Sequence, residues 1–204
     1  TVVNDVGGVE IELTESEAAY LNATNYIRPA KYRTVKAGKH TLNGAQALGY
    51  CRIRKYAKGI QPVTPNGQID DYGRTWRQRN AITSIFNKVK KMPKSQWLKI
   101  AKDVLKQNVK TDLSNKQIFN YIKDVVMMGT TTIHQLQIPV NPYFSGGNVP
   151  GVGSCLSIQK EYQADAINQF VFKYDGKGGE FTYTPSSDVS GYVSSSTPSA
   201  SPAN

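Results

Sequence analysis

The sequence predicts a mixed α/β domain, layered α-β-α, with a mostly β centre flanked by helices. Three observations predict it. Residues 9–13 (VEIEL) alternate apolar and acidic side chains, the period of a half-buried strand. Ile82, Ile85, Phe86 and Val89 recur at the spacing of an amphipathic helix. Asn43-Gly44-Ala45-Gln46 and Ser114-Asn115-Lys116-Gln117 each place an amide three residues after a capping side chain, which marks a helix start.

The elements follow in order. Gly7-Gly8 is a turn that delivers the strand at 9–13. Ser16 to Asn25 is a short helix or a turn-rich link, and 27–40 is basic and extended. A short helix runs from Asn43 through Leu48, and Cys51-Arg52-Ile53-Arg54 is extended. Pro62, Pro65 and Asn66-Gly67 make 57–70 a loop. A long helix starts at Asp71 or Arg74 and ends at Lys91, before Pro93. A second helix, 94–109, buries Trp97, Ala101, Val104 and Leu105. A third begins at Ser114, is lined by Ile118, Tyr121, Ile122 and Val125, and stops at Gly129.

Ile133 to Ile138 reads as a strand, 141–153 as a Gly/Pro/Asn loop, Cys155 to Ile158 as a strand and Tyr162 to Phe172 as a helix. From Thr184 onward 13 of 21 residues are Ser, Thr or Pro, which leaves too little apolar surface to offset the entropy of ordering. The expected division is therefore a domain over 1–183 and a disordered tail over 184–204. The strands are few for so many helices, so the sheet is expected to be incomplete on its N-terminal side.

The chain of 204 residues carries a formal charge of +10. Residues 52–110 hold 15 Lys/Arg against 3 Asp/Glu, a balance of +12, and the rest holds 10 against 12, a balance of −2. A field concentrated in this way attracts polyanions: nucleic acid, anionic lipid, teichoic-type polymers or pyrophosphates. No run approaches the roughly 18–20 apolar residues that span a bilayer. Cys51 and Cys155 lack the spacing of a metal site. They are either two buried thiols or one long-range disulfide, which in the chain-entropy picture stabilises by roughly 4–5 kcal/mol.

The chemistry concentrates between residues 42 and 80. On an extended 51–54 segment, Arg52 and Arg54 project to one face while Cys51 and Ile53 turn to the core. On the following helix Arg74 and Gln78 stand at i and i+4, at the head of the stripe Ile82, Ile85 and Val89. This predicts a pocket with a polar mouth and an apolar interior, suited to a diphosphate with an apolar tail. Asp71 is placed to orient an arginine or to help hold a divalent cation. Plainer readings exist for the same residues: surface ion pairs for the arginines, a helix cap for Asp70-Asp71, solvated faces for the lysines from 88 to 110, and a structural place for His134.

These residues also carry a resemblance. Gly7-Gly8-Val9, the block Leu42-Asn43-Gly44 … Ala47-Leu48 … Tyr50 … Arg52 … Arg54, and Asp71 … Arg74 … Arg77-Gln78 match in order and spacing the C-terminal half of the LytR-CpsA-Psr (LCP) catalytic domain. The resemblance implies a phosphotransferase that moves a glycopolymer, such as teichoic acid or capsular polysaccharide, from a polyprenyl-pyrophosphate carrier to peptidoglycan. It implies work at the extracellular face of the membrane of a Gram-positive cell, with Mg²⁺ or Mn²⁺ as cofactor. Arg52, Arg54, Arg74 and Gln78 would hold the pyrophosphate, and Arg52, Arg54, Asp71 and Arg74 would serve catalysis. Asp71 would stand near the metal, and Ile82, Ile85 and Val89 would wall the prenyl chain. The family's remaining metal aspartates, a further arginine and a membrane anchor belong to an N-terminal half that this sequence does not show, so the chain is expected to be incomplete by itself. Two other classes fit the basic charge: a noncatalytic polyanion-binding module and a nucleic-acid-binding regulator. The second rests on charge alone, and nucleic acid is not expected as a partner.

Overall fold

The computed structural model describes residues 2–93, 96–97, 100, 111–128, 132–177 and 181–190. The chain divides into two compact units, Thr1–Thr131 and Thr132–Asn204.

The first unit is built on a two-stranded antiparallel sheet. After the short helix α1 (Val2–Asp5), β1 (Val9–Leu13) pairs with β2 (Gly38–Leu42), Val9 opposite Leu42 and Leu13 opposite Gly38. β1 shows the expected alternation: Val9, Ile11 and Leu13 are buried, Glu10 and Glu12 exposed. Gly8, at φ +89°, lies so close to Thr41 and Leu42 that a side chain there would collide with them.

Between the strands runs α2 (Glu15–Ala23), the helix option for this segment. Its capping box joins Thr14 and Glu17, with Glu17 N donating to Thr14 Oγ1 at 3.2 Å and Thr14 N to Glu17 Oε2 at 3.0 Å. Residues 27–40 are not continuously extended, because a 3₁₀ turn (Ala30–Tyr32) interrupts them before β2.

α3 (Gly44–Arg52) starts where the sequence places it, with Asn43 Oδ1 accepting from Ala45 N and Gln46 N. It ends later than expected, and this corrects the extended reading of residues 51–54. The helix continues through Cys51 and Arg52 because Ala47 and Tyr50, one turn apart, are both buried against the core. Four residues of alternation are too short to tell a strand from the end of a helix.

α4 (Asp70–Lys90) packs on β1 and α3, with Asp70 and Asp71 at its N-terminal end and Lys88 and Lys90 at its C-terminal end. Its buried face is Gly73, Arg77 and Ala81, continued by the partly buried Ile85 and Val89. The expected stripe is therefore rotated, and Ile82 is 60% exposed. Of the expected 94–109 helix, only Gln96, Trp97 and Ile100 are described, all helical; the rest lies outside the described residues. α5 (Asn115–Met128) begins as expected, Ser114 N donating to Gln117 Oε1 at 2.9 Å, and the expected stop at Gly129 lies outside the described residues.

The second unit carries an antiparallel hairpin, β3 (Phe144–Val149) with β4 (Gly153–Ile158). The expected 141–153 loop is thus mostly a strand, since pairing with residues 153–158 outweighs the poor strand propensity of Gly146-Gly147. The turn has Pro150 and Gly151 (φ +79°) at its centre, with Val152 N donating to Val149 O at 3.0 Å. Ile133 to Ile138, expected as a strand, joins no ladder among the described residues.

α6 (Lys160–Asn168) runs into a π-turn (Gln169–Lys173), and a last short helix, α7, spans Ser187–Ser190. Thr184 to Ser190 fall within the expected tail, and Ser186 among them is hydrogen-bonded. Asp165 accepts hydrogen bonds from Ser186 N (2.9 Å), Ser186 Oγ (3.0 Å) and the Tyr183 hydroxyl (2.9 Å). Residues 191–204 lie outside the described residues. The mixed α/β class holds, with two small antiparallel sheets among the described residues. No described helix is long and apolar enough to cross a membrane.

Candidate functional site

The site forms where the end of α3 meets the head of α4. Arg54 lies two residues past α3, and Asp71 and Arg74 lie in the first turns of α4. Asp71 Oδ1 pairs with Arg54 Nε at 3.0 Å and with Arg74 Nη2 at 2.6 Å. The three side chains are between 36% and 52% exposed, so the cluster is open to a ligand. Two guanidinium groups against one carboxylate leave a net positive charge. The positive end of the α4 dipole adds to it. Arg74 Nε is shielded from solvent and has no acceptor among the described residues, which leaves a donor over.

Arg54, Asp71 and Arg74 are thus brought together as the sequence suggested, though by a helix end and a helix start rather than by alternation along a strand. Gln78 is exposed and reaches back to α3, Nε2 donating to Cys51 O at 3.4 Å. Arg52, the last residue of α3, is exposed beside it and joins none of the ion pairs of the cluster. Ile85 and Val89 pack against the core, while Ile82 faces out, so these three do not share one wall.

Asp71 does not fit a metal ligand: two guanidinium groups crowd its Oδ1, and their charge repels a cation. No group of three His, Cys, Asp or Glu suited to a metal forms among the described residues. Cys51 and Cys155 are both free thiols in this structure. Burial pushes the Cys51 thiol from its ordinary value near 9 up to about 11.

Arg77 falls on the motif spacing, which by itself assigns it no role. It is fully buried, with Nε 2.6 Å from Glu17 Oε1, itself fully buried. Its Nη1 donates to Ile53 O at 3.3 Å and its Nη2 to Pro62 O at 3.2 Å. Arg77 therefore ties α2, the end of α3 and the 62–69 loop to α4. Because Ile53 precedes Arg54, the same contact helps fix where Arg54 stands. The signal available in the sequence was the series 73, 77, 81, 85, 89, every fourth residue from a Gly to a Val.

A model of the LytR_cpsA_psr family matches residues 1–169. The chain belongs to this family. Among similar LCP proteins, regulatory protein MsrR of Staphylococcus aureus is 27% identical over 144 residues, 68% of this chain and 39% of that protein. The polyisoprenyl-teichoic acid–peptidoglycan teichoic acid transferase TagU of Enterococcus faecalis is 35% identical over 115 residues, 55% of this chain and 30% of that protein. A crystal structure of protein gbs0355 from Streptococcus agalactiae matches with a TM-score of 0.53 at 26% identity, over 82% of this chain and 50% of that one. This LCP chain thus spans half or less of the length of each of these three relatives.

Proposed function

We propose that this chain supplies part of a site at which a glycopolymer passes from a polyprenyl-pyrophosphate carrier to peptidoglycan, outside the membrane of a Gram-positive cell. The Arg54–Asp71–Arg74 cluster at the head of α4 carries the reading. Family membership and the teichoic acid transferase named among the relatives support it.

In the proposed reaction a peptidoglycan hydroxyl oxygen bonds to the polymer-side phosphorus. The bridging P–O bond breaks, prenyl monophosphate leaves with that electron pair, and the hydroxyl proton passes to solvent. The role of this chain is to hold the diphosphate and spread its developing charge over guanidinium groups. Asp71 orients Arg54 and Arg74 by binding the inner N–H of one and the outer N–H of the other. Arg52 and Gln78 border the same end of α3 and are assigned to the outer phosphate. The divalent cation implied by the resemblance finds no fitting ligand set among the described residues, so the proposal rests on the arginines.

Calorimetric titration of this chain with a short polyprenyl pyrophosphate tests it, with duplex DNA as the control. Arg74→Ala is expected to weaken binding by about 1.5–3 kcal/mol, on the order of 10- to 100-fold, with the circular dichroism unchanged. Equal affinity in the variant would sink the proposal.

A further inference from the structure

A second basic surface lies beside the site, and the pyrophosphate reading does not use it. The segment from Arg28 to Lys39 contains Arg28, Lys31, Arg33, Lys36 and Lys39 and no acidic residue. Residues 26–32 run along α3 on two contacts, and from Val35, which exchanges hydrogen bonds with Asn22, the segment passes beside α2. Gln46 Nε2, in the first turn of α3, donates to Tyr32 O at 3.1 Å. Gly49, farther along, lies against the backbone of Tyr26 and Ile27, so tightly that a Cβ there would stand 2.7 Å from Ile27 Cγ1. Arg33 then folds back over the segment, Nε donating to Ile27 O (2.8 Å) and Nη2 to Arg28 O (2.9 Å).

Gly49 and Arg52 are i,i+3 neighbours on one helix face, so the chain entering at Ile27-Arg28 sits about one helical turn, roughly 5 Å, from Arg52. From Gln46 to Arg52 the helix rises about 9 Å. Over that length the basic segment leads towards the Arg52–Arg54–Arg74 end. Arg28, Lys31 and Lys36 are exposed, and among the described residues no ion pair occupies them. Lys39 stands 3.9 Å from Glu10. The arrangement is a strip of positive charge beginning beside the anion site and lying outside it.

We propose that this strip, with Arg28, Lys31 and Lys36 as its contacts, binds the phosphate-bearing repeats of an anionic glycopolymer. It thereby makes the protein select polyanionic over neutral chains. The proposal rests on the pyrophosphate reading for the direction in which the polymer leaves the site. Its own content is a separate subsite whose ligand is a repeated phosphodiester. Several like charges along one contact suit a flexible polyanion, which gains by releasing its counterions at each phosphate neutralised.

The test uses this chain and three probes: a short polyprenyl pyrophosphate with no polymer, a soluble poly(glycerol phosphate), and a neutral dextran of similar length. Two variants are compared with the parent, Arg28→Gln/Lys31→Gln/Lys36→Gln and Arg74→Ala, and Lys31→Gln/Lys36→Gln serves if the triple variant loses its circular dichroism. The triple variant is expected to lose at least about tenfold in poly(glycerol phosphate) affinity. Its slope of log affinity on log salt should fall by up to about three, one for each charge removed. The affinity of Lys31→Gln/Lys36→Gln for polyprenyl pyrophosphate should stay within about twofold of the parent. Poly(glycerol phosphate) affinity unchanged in the triple variant overturns the proposal, as does equal binding of dextran by the parent. Loss of binding to phosphatidylglycerol vesicles with polymer binding intact also overturns it, and assigns the strip to the membrane. A parent that binds no polyprenyl pyrophosphate, with polymer binding still lost in the triple variant, leaves this subsite standing and removes the pyrophosphate reading instead.

Discussion

Glu17→Gln is the substitution whose consequence the structure defines most sharply. Gln at this position can still complete the capping box with Thr14, because an amide oxygen accepts the Thr14 N–H as the carboxylate does. What it removes is the charge opposite Arg77, and both partners are fully buried. Taking away one member of a buried ion pair costs about 3–5 kcal/mol, against ~1 kcal/mol for losing a cap, so the charge term dominates. With a urea slope of about 2 kcal/mol per molar, the midpoint should fall by roughly 1.5–2.5 M. Both tryptophans, Trp76 and Trp97, lie within residues 1–131, so tryptophan fluorescence follows this unit without interference from the other. Glu17→Leu/Arg77→Met should recover part of the loss, since an apolar pair of similar volume removes the buried charges together. Recovery stays partial because Ile53 O and Pro62 O lose their donors, about 1 kcal/mol each. A destabilisation below about 1 kcal/mol in Glu17→Gln would refute the reasoning and mean that Arg77 is hydrated in solution.

Further expectations follow from single contacts. Asp71→Asn should change stability by less than about 1 kcal/mol, since its ion pairs are solvent-exposed, yet should weaken polyprenyl-pyrophosphate binding in calorimetry by freeing Arg54 and Arg74 to wander. Gly49→Ala should cost about 1–3 kcal/mol in urea unfolding, because the new methyl must displace Ile27 and its backbone. Cys51 should resist alkylation until the pH nears 11, as followed by mass spectrometry. Between about pH 9 and 11 its native thiol keeps a proton that the unfolded thiol loses, so stability contributed at this site should fall as pH rises. At Asp165, burial pushes the carboxyl up, but hydrogen bonds from Ser186, Tyr183 and Gln169 outweigh it and hold the group below its ordinary value. The native state then favours the ionised form, so this contribution is present above the unfolded pKa and lost as pH falls through the lowered one. Asp165→Asn should make the chain near Ser186 quicker to cut in limited proteolysis.

Local signals in the sequence were legible where the physics is local. The capping boxes at Asn43 and Ser114, the alternation at Val9 to Leu13 and the long helix ending near Pro93 each depend on residues within about four positions of one another. Arg54, Asp71 and Arg74 were legible as a group through family spacing, and the structure joins them. The misread elements depended on partners distant in sequence. Phe144 to Val149 becomes a strand because Gly153 to Ile158 pairs with it, and Ser186 is held by Asp165 while Thr184 O accepts from Gln169.

The sequence alone determined the mixed class, the regional charge and the grouping of Arg54, Asp71 and Arg74, since these follow from composition, short-range periodicity and motif spacing. Only the tertiary structure decided which face of α4 is buried. A shift of one residue turns a helix by about 100°, so the same apolar positions admit a face headed by Arg74 and Gln78 or one headed by Gly73 and Arg77. The choice went to the second because Glu17, sixty residues away in the chain, is buried where Arg77 can reach it. That pairing leaves Arg74 turned outward beside Asp71 and Arg54, at the surface where an anion can meet it.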